Sequence, residues 1–243
     1  MAAQRTPEGP PPPPAVQKLR IQYARRGRLR YSSTRDFGRA LERALRRSGV
    51  PMAYSAGFHP HPKISYANGA ATGAASEAEY FEISVTEQVD PDAVATALNA
   101  ALPDGLDIVS VVDAQPGALA DRLQASRWLL EFPGVESADL ERAVAGFMAQ
   151  EHVEVERMFK KGLKSYDARG PVERAVAGVN SDGCAILTMV VRHTTPAVRP
   201  DDVLSAIAAA TSFAPSQSPK ATRLAQGIWS SETESVADPL AAD

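Results

Sequence analysis

Hydrophobic and polar positions first alternate and then change period. Leu19, Ile21 and Tyr23 fall on one face of a strand, with Lys18, Arg20 and Gln22 on the other, the signature of a half-buried strand. Arg25-Arg26-Gly27 interrupts it, and Leu29 and Tyr31 resume the alternation. Ser33 to Asp36 is an S-x-x-D helix start. Phe37, Ala40, Leu41, Ala44 and Leu45 follow at helical spacing, and Gly49 and Pro51 stop the helix. A Pro-rich loop runs from Met52 to Pro62. Short strands are predicted over 63–67 and 79–86, with small residues between them from Gly69 to Ala75. Asp90-Pro91 opens a second helix that buries Val94, Ala97, Leu98 and Ala101. It ends at Pro103-Asp104-Gly105, and a β-rich run, 106–112, completes the order βαββαβ.

The same order returns more faintly. Strands are predicted at 127–132, 153–159 and 185–192, helices at 137–150 and 200–211, and a short last strand at 223–226. The expected fold is therefore α+β, with two tandem ferredoxin-like (βαββαβ) domains. The expected organisation is a disordered Pro-rich arm at 1–17, a basic first domain at 18–113, a linker at 114–125 and a second domain at 126–226. The second domain carries an insertion at 160–182. A disordered acidic tail, 227–243, ends the chain.

Charge changes the picture in one place. The chain of 243 residues has a net charge of -3, yet eleven of its 26 Lys and Arg residues lie between Lys18 and Arg47. Only Asp36 and Glu42 oppose them. A folded basic face on an acidic protein points to a polyanion, foremost RNA. Arg35, Arg39, Arg43 and Arg47 stand at i, i+4 spacing. Each step rises about 6 Å, near the spacing of successive phosphates, and like charges at this spacing disfavour the helix. The alternative is a solvated face softened by Glu42. Arg20, Arg28 and Arg30 lie on the neighbouring strand pattern, and Lys160, Lys161 and Lys164 form a second, more dilute cluster.

The loop 53–63 offers Tyr54, Phe58, His59, His61 and Lys63, stiffened by two prolines. Aromatic rings stack on unpaired bases and cations hold phosphates, so the mixture suits single-stranded RNA. His59 or His61 acting as a general base remains the catalytic alternative, and a plain structural loop is the other reading. No third metal ligand follows the His-x-His pair at suitable spacing, so no metal and no cofactor is expected. Glu77, Glu79 and Glu82 read either as an acidic outer face or as carboxylates that orient a basic group. Cys184 is the only cysteine, so no internal disulfide and no iron–sulfur cluster of its own is expected. No apolar run is long enough to span a membrane and Met1 to Val16 lacks a signal-peptide core; a cytoplasmic protein is expected.

Leu29 to Ser32 (LRYS), Phe37 to Gly49 (FGRALERALRRSG), Met52 to Ala67 (MAYSAGFHPHPKISYA) and Gly73 to Phe81 (GAASEAEYF) resemble the radical-SAM-linked, or radical-SAM-associated, proteins. That family is a bacterial domain of unknown function. The likeness is dense over about 65 residues, 19–85, looser over 160–169 and 185–192, and would extend over about 18–213. One departure is Ser32-Ser33, where the family often has Ser-His. The resemblance implies a partner radical SAM enzyme encoded nearby, often close to a ribonuclease of the E/G type. It supplies no catalytic residues. The combined expectation is a non-catalytic RNA-binding accessory protein of a radical SAM enzyme, acting in tRNA or rRNA modification. A metal-independent RNA endonuclease and a module that docks an acidic protein partner are the alternatives.

Overall fold

The computed structural model describes residues 12–160 and 162–241. Among them are five α-helices and a mostly antiparallel set of strands, an α+β chain. It divides into two compact units. One holds residues up to 73 and 78–119; the other holds 74–77 and 120–241.

In the first unit, β1 (Gln17–Arg25) leads through a 3₁₀ turn (Gly27–Tyr31) into α1 (Thr34–Ser48). The turn replaces the strand expected at Leu29 and Tyr31. Gly27, at φ 54, reverses the backbone there, a conformation open to glycine at little cost. α1 begins with a reciprocal cap. The Asp36 N–H donates to Ser33 Oγ and the Ser33 N–H to the Asp36 carboxylate. Gly49 closes it in the left-handed region at φ 70. β2 (Ile64–Ala67), β3 (Ala75–Val85), α2 (Pro91–Ala101) and β4 (Leu106–Asp113) follow. The strand order is β4-β1-β3, with β2 on the far side of β3. β1 with β4 and β2 with β3 are antiparallel. Leu19, Ile21 and Tyr23 of β1 bury with Phe37, Leu41 and Leu45 of α1, with Phe81, Ile83 and Val85 of β3, and with Val94 and Leu98 of α2. The Tyr23 and Phe37 rings stack at 4.2 Å.

The second unit contains a short α3 (Leu119–Arg122), which begins at the unit boundary and lies inside the expected linker, and then β5 (Ala125–Phe132). α4 (Ser137–Met148), β6 (Glu154–Phe159), β7 (Gly162–Asp167), β8 (Val172–Val179), β9 (Ala185–Arg192), α5 (Pro200–Thr211), β10 (Lys220–Ser230) and β11 (Ser235–Ala237) complete it. The order is β10-β5-β9-β8, each pair antiparallel. Two expectations are corrected here. The strand predicted at 153–159 does not join this sheet. As β6 it pairs only with β7, in a hairpin of its own. β8, which lies inside the expected insertion, takes the edge instead. The alternation of Val153, Val155 and Arg157 specified a strand but not its neighbour.

The tail is also corrected. β10 runs to Ser230, and β11 pairs with it through Ile228–Ala237 and Ser230–Ser235. Leu240 is buried. Four carboxylates made 227–243 read as disordered, yet Ile228, Trp229 and Val236 carry enough β-propensity to extend the strand. On the N-terminal arm, residues 1–11 lie outside the described residues, 12–16 have no regular structure, and Gln17 already belongs to β1.

Candidate functional site

The five arginines of α1 divide by what they touch. Arg35, Arg39, Arg43, Arg46 and Arg47 are all exposed. Arg47 donates to the Ala101 carbonyl at the end of α2, where a cation favours the helix C-terminus. Arg46 Nε donates to the Glu42 carbonyl one turn back, at 3.2 Å. Among the described residues, Arg35, Arg39 and Arg43 hold no hydrogen bond or ion pair of their own, though after the Ser33 hydrogen bonds the charges of Arg39 and Arg35 also help hold the Asp36 carboxyl below its usual range. The row is not straight. Each four-residue step turns about 40° beyond a full helical turn. Arg35 and Arg39 therefore lean to the Glu42–Arg46 side, and Arg43 and Arg47 to the α2 side.

Arg20 is a correction. It was expected on a solvated face beside the arginine row, but it is only 1% exposed. Its Nε donates to Glu82 at 3.1 Å and an Nη to the Gly117 carbonyl at 2.6 Å. Lys18 meets the other Glu82 oxygen at 2.5 Å. Glu82 sits on β3, the strand beside β1, so the guanidinium is neutralised inside the protein. Of the two readings of the acidic run, Glu82 orients a basic group. Glu79, also buried, accepts the Ala70 N–H at 3.0 Å and holds the small-residue loop. Arg28 is exposed on the 3₁₀ turn. Arg30 is half-buried and lies over the Tyr31 ring at 4.7 Å. Arg25, which sequence reasoning did not single out, is buried and donates to the Ala70 and Ala71 carbonyls, both at 3.0 Å.

The loop 53–63 is a pinned excursion. The Lys63 N–H donates to the Ala53 carbonyl and the Ser55 N–H to the His61 carbonyl. Ser55 Oγ accepts the His61 N–H at 3.0 Å. Tyr54 and Pro62 face each other across the neck. Gly57, at φ 135, makes the turn, and Phe58 stands 61% exposed at the tip. Tyr54, His59, His61 and Lys63 are exposed with it. Phe58 and Tyr54 thus leave exposed ring surface on a loop whose backbone is pinned.

A groove of about 340 Å³ joins the neck of this loop to the C-terminal half of α1. Val50, Pro60 and Pro62 supply apolar surface over the buried Leu45 and Met52; Glu42, Arg46, Tyr54 and His61 supply polar groups. Glu42 and Arg46 in this role were missed by sequence reasoning. Their signal was present, since both lie one turn apart on the flank that faces away from Leu41. Next to them, Tyr66 packs its ring against Phe37 and Phe81. Burial first, and the Glu42 carboxylate second, push its phenol up to about 12. The Tyr66 hydroxyl would lie 3.3 Å from a Cβ at position 38, so Gly38 lets the ring reach over the helix.

The second cluster lies on the β6–β7 hairpin and is described within its own unit. Lys160 is exposed at the tip, Lys161 lies outside the described residues, and Lys164 stands over the Phe159 ring at 5.6 Å. Arg157 is held over Phe159 and Tyr166, at 4.7 and 5.1 Å, and pairs with Asp202. Met158 and Leu163 face each other across the hairpin and are 71% and 55% exposed.

Among the described residues, no group of three His, Cys, Asp or Glu side chains is placed to hold a metal ion. No described helix is long and apolar enough to cross a membrane. Residues 18–200 match the family described as "Uncharacterized protein conserved in bacteria (DUF2344)". The chain belongs to this bacterial family. The match takes in the arginine-bearing helix, the pinned loop, the groove between them and the basic hairpin. No curated protein matches the chain.

Proposed function

We propose that this protein binds single-stranded RNA across α1 and the loop 53–63, without catalysing a reaction on it. One observation carries the reading. Three exposed arginines that hold no hydrogen bond or ion pair among the described residues lie on the helix that shares a groove with a pinned loop bearing Tyr54, Phe58 and His61. Cations unspent within the protein are those that gain most from phosphate, and exposed rings provide base-stacking platforms. Each unit is read as a ferredoxin-like βαββαβ module. The repeated order, β4-β1-β3-β2 and β10-β5-β9-β8, supports this, with the β6–β7 hairpin inserted in the second. Lys160 and Lys164 on that hairpin would serve as a second phosphate contact, with Lys161 their neighbour in the sequence.

In this reading the protein works in the cytoplasm as the accessory partner of a radical SAM enzyme. The sequence resemblance supports that partnership. The lone Cys184 supports the division of labour, because the cluster would have to belong to the partner. tRNA or rRNA modification is the process this pairing fits.

The test is a salt titration with a fluorescent single-stranded RNA. Affinity should fall with salt at a logarithmic slope of about -0.7 per phosphate neutralised. The Arg39→Glu/Arg43→Glu protein should bind more weakly and with a shallower slope, whatever the RNA sequence. Unchanged affinity and slope in that protein would remove α1 from the interface. RNA cleavage in EDTA that His59→Ala abolishes would replace the reading with the endonuclease.

A further inference from the structure

We propose that the groove between α1 and the neck of the loop 53–63 is a guanine-base site. The proposal rests on the single-strand reading above and gives that surface a sequence preference. The volume, about 340 Å³, falls at the lower end of the roughly 300–1,000 Å³ typical of small-molecule sites. Its walls are of the right kind for a base. Val50, Pro60 and Pro62 offer apolar area to a π face above the buried Leu45 and Met52, and the Tyr54 and His61 rings line the same groove.

The polar groups choose among bases. Glu42 is half-exposed, and among the described residues its carboxylate has no hydrogen-bond partner. A carboxylate has only acceptors to offer. Guanine alone presents two adjacent donors on its Watson–Crick edge, the N1–H and the N2 amino group. Adenine and cytosine each place an acceptor ring nitrogen beside a single amino group. Uracil flanks its one N–H with two carbonyls. All three would set an acceptor against the carboxylate. One turn away, Arg46 uses Nε on the Glu42 carbonyl, which leaves its Nη groups free for O6 and N7 of the same base, the pairing that arginine favours with guanine. The i, i+4 step of about 6 Å matches neighbouring edges of one purine.

The loop prepares the site before any ligand arrives. Pro60 and Pro62 line the groove, and the Ser55–His61 hydrogen bonds fix the neck. Little ordering cost is then left to be met on binding.

Calorimetric titration of the full-length protein with guanosine, adenosine, cytidine and uridine, and with GMP and AMP, tests this. Guanosine should bind about tenfold or more tightly than the other nucleosides, since each mismatch leaves Glu42 facing an acceptor. Glu42→Gln, nearly isosteric on an exposed helix flank, should erase the preference. Tyr54→Leu should weaken all nucleosides alike. Arg39→Glu/Arg43→Glu should weaken RNA yet keep the guanosine preference. Equal binding of the four nucleosides, no saturable nucleoside binding, or a preference that survives Glu42→Gln would overturn the base site. So would GMP and AMP binding equally while guanosine does not bind, because phosphate alone would then be held. Salt-dependent RNA binding without guanosine preference sinks only the base site. Guanosine preference in a protein that binds no RNA sinks only the RNA reading.

Discussion

Two arginines on neighbouring elements of the first unit behave in opposite ways. Arg20 is buried against Glu82, while Arg43 is exposed with no hydrogen bond or ion pair among the described residues. Removing one member of a buried pair typically costs about 3–5 kcal/mol, and here Lys18, which also meets Glu82, recovers part of that cost. Arg20→Ala should therefore lower the unfolding midpoint sharply in a denaturant titration. Whatever remains folded should keep the wild-type salt slope for RNA. Arg43→Glu should do the reverse. An Arg20→Ala protein as stable as wild type would show that the pair contributes nothing net. Tyr66 gives a spectroscopic handle on the same unit. With its phenol held up to about 12, by burial first and then by Glu42, it should stay un-ionised through the range where exposed tyrosines titrate, near 10. Absorbance at the phenolate band should show two late-titrating tyrosines, since burial and Asp202 push Tyr166 up to about 12 as well, and Tyr66→Phe should remove one of them.

His193 sets a pH dependence in the second unit. Burial chiefly, and the Arg223 charge as well, pull it below the ordinary 6.5, against the Leu123 carbonyl, which favours the charged ring. Its ring lies 2.7 Å from that carbonyl and 2.8 Å from Ser126 Oγ. A depressed histidine binds its proton more readily when unfolded. Stability is therefore fully present above about 6.5 and declines as pH falls toward the folded value. Unfolding measured from pH 7.5 to 5 should show this loss in wild type and less of it in His193→Gln. Equal slopes in the two proteins would remove His193 as the cause.

At the scale of elements, helix ends and strand ends are the testable joints. Gly49 ends α1 at φ 70 with nothing within 4 Å of where a Cβ would stand. Gly49→Ala therefore meets no clash, only the backbone penalty, about 1 kcal/mol. Because that turn borders the groove, nucleoside binding should change more than global stability does. Gly227 is the opposite case. A Cβ there would collide with the Ala237 carbonyl, so Gly227→Ala should detach β11 from β10. Hydrogen exchange should then rise over 228–237 while the β5–β9 amides stay protected. An unchanged exchange pattern would mean that the tail adapts by another route.

For the molecule as a whole, periodicity in the sequence determined much. α1, α2, α4 and α5 lie where apolar spacing placed them, and the ends of α1 follow from Ser33, Asp36 and Gly49. These are local effects, written within four residues of one another. The basic character of α1 was equally legible, because exposure on a helix face repeats with the same period. What the sequence left open is what depends on a neighbour distant along the chain. Arg20 looked solvated because Glu82 is 62 residues away. The strand at 153–159 looked like a sheet member because alternation says nothing of partners, and tertiary pairing gave the edge of that sheet to β8. The tail looked too polar to fold because four carboxylates lie among few large apolar side chains, yet β10 offered it a template of backbone donors and acceptors. Glu42 and Arg46 became wall residues of a groove only when the loop 53–63 closed against α1. Helix and strand type follow from local dihedral preference and solvent exposure. Charge burial, strand partnership and groove shape arise only when segments far apart in sequence meet and displace the water between them.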